Sequence, residues 1–260
     1  WQEADRQLAA SAEAFCAGDT DLSAARQAFL GAQSAWAGLQ PLLVGPLAEG
    51  NRAWQIQFWP DKKNLVQRQV EALLKNKPQL SADDLSNASV VVQGLTAYEY
   101  MLFDPNLDLA QAEQKARYCP LLQAIGKHQQ ALAAQIVGEW QAKPGMAEQL
   151  KTFPNERYAD SNEAIAELLR VQISALDGLK KKLGAPMGRQ SKGIAQPYQA
   201  EAWRSASSLA SQGAALASAE LLWHGSNRDG IQSLLGDDQA DLAKRIDAAY
   251  QDTRQRLAAL

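Results

Sequence analysis

Asn87-Ala-Ser-Val-Val-Val-Gln-Gly-Leu-Thr-Ala-Tyr-Glu-Tyr-Met-Leu-Phe-Asp104 is the most apolar run in the chain, and before its terminal Asp it carries a single carboxylate, Glu99. From Val90 to Phe103 there is no Pro, and Gly94 is the only Gly. Leu85, Ala88, Val92, Leu95, Tyr98 and Leu102 recur at helical spacing, which predicts one buried helix. Ser81 with Asp84 three residues on supplies a start signal, and Asp104-Pro105-Asn106 supplies the stop. Glu99 then lies near the C-terminal end of a helix that is apolar on most sides. A carboxylate in such a place is costly unless it is paired, protonated or bound to a cation.

Working outward, Leu22, Ala25, Phe29, Ala32, Trp36 and Leu39 form a bundle-type stripe that Pro41 ends or bends. A shorter helix precedes it, with Leu8, Ala12 and Phe15 on one face. Residues 41–60 are irregular but rich in aromatics, so Trp54, Phe58 and Trp59 are expected to fold back on the bundle. Asp61 opens a helix with Leu65, Val66, Val70, Leu73 and Leu74 inward. A helix broken at Pro120 is expected to run on to about Trp140, with Leu121, Leu122, Ile125, Leu132 and Ile136 inward. A composition shift over Gln141–Gly145 and Lys151–Asn155 marks the passage between an N-terminal bundle, 1–142, and a C-terminal one, 143–260, packed together. In the second half Ile165, Leu168, Leu169, Ile173, Leu176, Leu179 and Leu183 form an amphipathic stripe, and helices are expected from about Ala200 to Trp223 and from Asp238 to Leu257. No segment has strand period over a useful length, and the fold class is all-α. A weak internal repeat relates Gln93–Phe103 to Gln212–Trp223, Glu99 matching Glu220 with two residues of slippage; chance in Ala-rich helices is the alternative.

The 260 residues suffice for one large domain or two small ones. With 26 basic and 29 acidic residues the net charge is -3, which gives no nucleic-acid footprint. No apolar run reaches the ~18 residues of a membrane span. The two cysteines, Cys16 and Cys119, are either buried thiols or a disulfide; each sits at a helix edge, which favours the bridge. A bridge implies an oxidising compartment.

Gly94-Leu-Thr-Ala-Tyr-Glu99 resembles the Gly-x-His-x-x-Glu signature of the imelysin-like proteins (the peptidase M75 group), with Thr96 where that motif has His. Phe58-Trp-Pro-Asp-Lys-Lys-Asn64 and the segment Pro197–Ser208, with Glu201, Arg204, Ser205 and Ser208, are also similar to segments of that family. The resemblance implies two four-helix bundles. It also implies a bacterial protein that is periplasmic or anchored to the outer membrane, with a signal peptide and possible lipid anchor upstream of residue 1, in iron uptake alongside other envelope proteins. A divalent metal or iron is the cofactor it would imply.

Two ligands three residues apart point from one helix face and can share one cation. A neutral Thr96 hydroxyl is a poor ligand for zinc or iron. Glu99 is therefore either a site carboxylate or a buried acid satisfied by an Arg. Arg204 is the first choice for that partner and Arg52 the second, with Ser205 facing the same way. If Glu201–Ser205 and Arg204–Ser208 lie on a helix, they are i,i+4 pairs, which also suits a plain surface pattern. Arg52, Trp54, Trp59 and Asp61 either wall a pocket or cover the bundle end. His128 reads as solvated and His224 as a helix C-terminal cap. No His-Glu-x-x-His is present. The sequence thus points to a non-catalytic ligand- or metal-binding protein, with an M75-type metallopeptidase or an interaction module with a degenerate site as the alternatives.

Overall fold

The computed structural model describes residues 1–260, apart from the side chain of Ala82. Helices α1 (Gln2–Ala17) and α2 (Leu22–Leu39) form an antiparallel pair around Gly18, whose positive φ of 94° closes α1, and Asp21, whose carboxylate accepts from the Ala24 N–H. Ala25, Phe29, Ala32 and Trp36 of the α2 stripe are all buried, as their spacing requires. After Pro41 the chain makes 3-10 turns and the short α3 (Arg52–Ile56). Next come α4 (Leu65–Asn76), with Val66, Val70 and Leu74 buried, and α5 (Ala82–Ser86), which opens with the expected Ser81–Asp84 capping box.

The apolar run is not one helix. It is α5, a 3-10 turn over Val90–Val92, and α6 (Leu95–Phe103). Two interactions divide it. The Gln93 side-chain amide donates to the carbonyls of Leu85, Ser86 and Ala88 at 3.1, 3.3 and 2.9 Å, taking up acceptors that a continuous helix would use. Gly94 then lies against the backbone of α3, where an added Cβ would stand 2.3 Å from the Ile56 carbonyl oxygen and 2.4 Å from that of Gln55. Only glycine admits that approach, and α6 starts afresh behind it.

Helix α7 (Ala112–Gln141) passes through Pro120 without the expected interruption. The expected inward residues Leu121, Leu122, Ile125, Leu132 and Ile136 are buried along it. Next to the proline, Cys119 forms a disulfide with Cys16, and α7 packs along α1 through the close approach of Gly126 to Ala9. The core of this part gathers Leu8, Phe29, Tyr98, Leu121 and Ile125, with α1, α2, α6 and α7 around it.

The short α8 (Met146–Gln149) and Tyr158 form a small cluster with Val44 and Val171. Helix α9 (Ser161–Gly184) follows, then α10 (Ser208–His224) and α11 (Ala240–Ala258). Helix α10 lies along α2, where Gln33 donates to the Ser211 hydroxyl at 3.3 Å. The expected amphipathic stripe of α9 is partly open: Leu169 is 37% exposed and Ile173 66%. With Leu216, Ile246 and Tyr250 it lines an apolar groove of about 720 Å³ between α9, α10 and α11. Helix α10 begins eight residues later than expected from Ala200, because Glu201–Ala206 is a run of turns with positive φ at Ala202 and Ala206. No strand occurs among the described residues.

Candidate functional site

Glu99 is 2% exposed, on α6. Its Oε1 accepts from the Ser205 backbone N–H at 2.8 Å and from the Ser205 hydroxyl at 2.7 Å. Burial pushes the Glu99 carboxyl above its ordinary range, while the Ser205 donors and the nearby Arg204 charge pull the other way. Arg204 does not pair with Glu99. Its Nε donates to Asp104 Oδ2 at 3.0 Å, both side chains being almost fully buried, and its guanidinium stacks over Trp203 at 4.4 Å and Tyr100 at 5.3 Å. The reason is local: α6 ends at Phe103, so Asp104 projects beyond its C-terminus to meet the planar fork, and the turn at Ser205 offers Glu99 a backbone donor.

Arg52 is also elsewhere. It makes two 2.6 Å bonds to Glu139 of α7 and one of 2.7 Å to the Pro46 carbonyl. Asp61 caps the start of α4, accepting from the N–H groups of Leu65 and Val66 at 2.7 and 3.1 Å. Thr96 donates its hydroxyl to the Phe58 carbonyl at 3.0 Å. The hydroxyl that stands at the motif His position is thus spent on holding the 57–60 segment, and Glu99 Oε1 is filled by Ser205. The pair as arranged does not fit a zinc or iron ion. Among the described residues no group of three His, Cys, Asp or Glu side chains is placed to hold a metal ion.

Glu201 is 1% exposed and meets a residue that the sequence reading missed, Lys182 of α9, at 2.6 Å. Gln40 bridges them, donating to Glu201 Oε1 at 2.9 Å and accepting from Lys182 Nζ at 2.7 Å. Burial lowers the Lys182 pKa and Glu201 opposes that shift. Among three consecutive lysines, Lys182 is the one that shares a helix face with Ala175 and Gly178, which is the signal that could have found it. The Lys182 ammonium lies 5.2 Å from the Trp59 ring centroid. The expected i,i+4 pairs do not form, since Glu201, Arg204 and Ser205 lie in turns before α10, and Ser208, its first residue, donates to the Glu201 carbonyl.

Beside this ion pair opens a slot of about 310 Å³. Trp36, Trp54 and Trp59 form one side and Ala175, Gly178 and Val171 of α9 the other, with Gln40, Gln57 and Lys182 among the polar groups. Trp36 is held by donating to Gln57 at 2.9 Å, and Gln57 donates on to Gln33 at 3.0 Å. Trp59 is held by its 3.0 Å bond to the Gln199 carbonyl. Trp54 does not fold fully back; it is 44% exposed and rests against Phe58. Of the sequence-predicted residues the structure brings together Glu99, Arg204 and Ser205, places Glu201 and Trp59 at the slot, and leaves Arg52 and Asp61 in structural roles. His128 is half-buried rather than solvated, and burial lowers its pKa. His224 ends α10, as expected.

No curated protein matches the chain. Among solved structures, an imelysin-like protein from Psychrobacter arcticum 273-4 superposes with a TM-score of 0.81 at 22% identity, over 99% of this chain and 77% of that one. The family model for imelysin, peptidase M75, matches residues 1–260. The chain therefore belongs to the imelysin family.

Proposed function

We propose that this chain is a non-catalytic binding protein that holds a small ligand in the tryptophan slot between α9 and the Trp54–Trp59 segment, in bacterial iron or metal uptake. The slot itself carries the reading. It is concave, has two of its three tryptophans, Trp36 and Trp59, fixed by hydrogen bonds, and has a buried ion pair at its edge, the arrangement of an orienting pocket. Thr96 in place of the motif His, with its hydroxyl committed to Phe58, argues against metallopeptidase chemistry at Glu99. Glu99, Ser205, Asp104 and Arg204 act as the clasp that fixes the 201–207 turns, and those turns position Glu201 against Lys182. The Cys16–Cys119 disulfide supports export to an oxidising compartment. The link to iron or metal uptake rests on family membership alone.

The experiment is a cleavage assay on unfolded casein and insulin chains with and without added zinc, run beside ligand screening by tryptophan fluorescence. No cleavage, with a saturable fluorescence change that Trp54→Ala reduces, is the expected result. Chelator-sensitive cleavage abolished by Glu99→Ala would refute it.

A further inference from the structure

The groove between α9, α10 and α11 has more than twice the volume of the slot, 720 against 310 Å³, and shares none of its lining residues. The two cavities take different faces of α9: Val171, Ala175 and Gly178 turn to the slot, Ile173, Leu176 and Leu183 to the groove. Leu216, Trp223 and Tyr250 are buried in the groove floor, and Ile173 and Met187 stand exposed at its rim. Its polar atoms are engaged elsewhere. Trp223 Nε1 donates to Asp247 at 2.7 Å, and the Gln172 amide donates to the Ala219 carbonyl and the Tyr250 hydroxyl at 2.8 and 3.0 Å. The Thr253 hydroxyl donates to the Ala249 carbonyl at 2.7 Å. The interior therefore offers a ligand hydrocarbon surface.

Its shape and its charge narrow the occupant. Leu169 and Gly184 both line it, a stretch of about 22 Å along α9 at ~1.5 Å per residue. Spread over that length, 720 Å³ gives a mean cross-section of about 33 Å². A helix with its side chains is ~10–12 Å across, or ~80–110 Å², and is too wide. A single extended chain fits. The only charged side chains that line the groove are cationic, Lys180 and Arg189. Arg189 crosses Gly184, where an added Cβ would stand 3.0 Å from its Cδ, and Lys180 lies one turn earlier on α9. The next two lysines are paired, Lys181 with Asp177 at 2.7 Å and Lys182 with Glu201 at 2.6 Å, whereas Lys180 and Arg189 make no ion pair among the described residues.

We infer that this groove binds a free long-chain carboxylate, its alkyl chain laid between α9, α10 and α11 and its head group at Lys180 and Arg189. An apolar trough with two unpaired cations toward one end complements an anionic amphiphile. The cross-section takes one chain, so a two-chain phospholipid is not held. The groove is open at its rim, so its occupant exchanges during isolation and must be supplied in a test.

The test is calorimetric titration of the delipidated full chain with octanoate, decanoate and dodecanoate below their micelle concentrations. One acid per chain is expected, with affinity rising about two- to fourfold for each added methylene. Dodecyltrimethylammonium should bind at least about tenfold more weakly than dodecanoate, and Lys180→Glu/Arg189→Glu should reverse that preference. Ile173→Glu, at the exposed rim, should weaken dodecanoate binding by about tenfold or more with helicity unchanged. Gly178→Leu, which fills the slot, should leave it as it is, so this site and the slot stand or fall separately. No uptake, equal affinity for the two head groups, or loss of binding in Gly178→Leu overturns the assignment. So does a wild-type groove that, in place of the free acid, takes an amphipathic helical peptide, a second copy of the chain or anionic phospholipid vesicles.

Discussion

Ser205 donates both its backbone N–H and its hydroxyl to the same oxygen of Glu99, at 2.8 and 2.7 Å. The contact spans 106 residues of sequence and ties a loop before α10 to the core helix α6. It is also a contact in which an amide oxygen can replace a carboxylate oxygen. Glu99→Gln should therefore be tolerated better than Ser205→Ala, which leaves the buried carboxyl with one donor fewer, at about 1–3 kcal/mol. Urea denaturation of the two variants checks the order; equal or reversed losses would count against it.

Arg204 and Asp104 form the charged half of the same clasp, almost fully buried. Removing the arginine alone strands a buried charge, so Arg204→Ala should lose about 3–5 kcal/mol. Combining it with Asp104→Asn should recover part of that loss, because the stranded charge goes with it. A double-mutant cycle measures the coupling.

The disulfide joins residues 103 apart and pins α1 to α7. In the chain-entropy picture a loop of that size contributes about 4–5 kcal/mol. Cys16→Ser/Cys119→Ser should fold but unfold at lower urea, and reductant should affect only the parent chain.

Asp5 on α1 is fully buried, its two carboxylate oxygens have no hydrogen-bond partner, and burial pushes its pKa up to about 8. The folded chain then keeps a proton that the unfolded chain gives up near pH 4. Asp5's contribution to stability is complete below about pH 4, declines by up to ~1.4 kcal/mol per unit as pH rises, and levels off above about pH 8. Asp5→Asn removes this slope. The stability difference between variant and wild type should therefore shift in the variant's favour from pH 5 to pH 7.5. A difference independent of pH would contradict the burial of an unpaired acid.

Gly94→Ala tests why the apolar run is divided. Its methyl group would meet two backbone carbonyls of α3, which cannot swing aside as a side chain can. A loss of at least ~2 kcal/mol is expected by overpacking, measured by the thermal midpoint. Gly213→Ala, at the corresponding place in the suggested repeat, meets only the end of the Leu257 side chain at 3.9 Å and should be neutral or stabilising.

These contrasts show what one chain of letters can convey. The α2 stripe and the inward face of α7 were legible because periodicity reports burial directly. The break at Gly94 was not, since its cause is the backbone of residues 55–56, remote in sequence. Pro120 suggested an interruption, yet helix packing and the adjacent disulfide accompany an unbroken α7. The α9 stripe was read correctly as amphipathic, but amphipathicity does not say whether a partner covers the face. At the site, Glu99, Arg204 and Ser205 were found as neighbours while the pairing was not, because the turn at 201–206 redirects both side chains. Lys182 went unnoticed among three lysines because its partner, Glu201, lies in that same irregular segment.

The central claim is that the slot beside Lys182 and Glu201 holds a ligand. Gly178 lines it, and a Cβ added there meets nothing within 4 Å. Gly178→Leu should therefore fill the slot while leaving the fold intact, and should raise helix stability slightly. The direct measurement is native mass spectrometry of tag-free protein isolated under mild conditions from bacteria that express it. The wild-type chain should carry a bound small molecule of defined mass that Gly178→Leu lacks, with both proteins equally folded. An unliganded wild-type chain, or the same adduct in both proteins, would contradict the account.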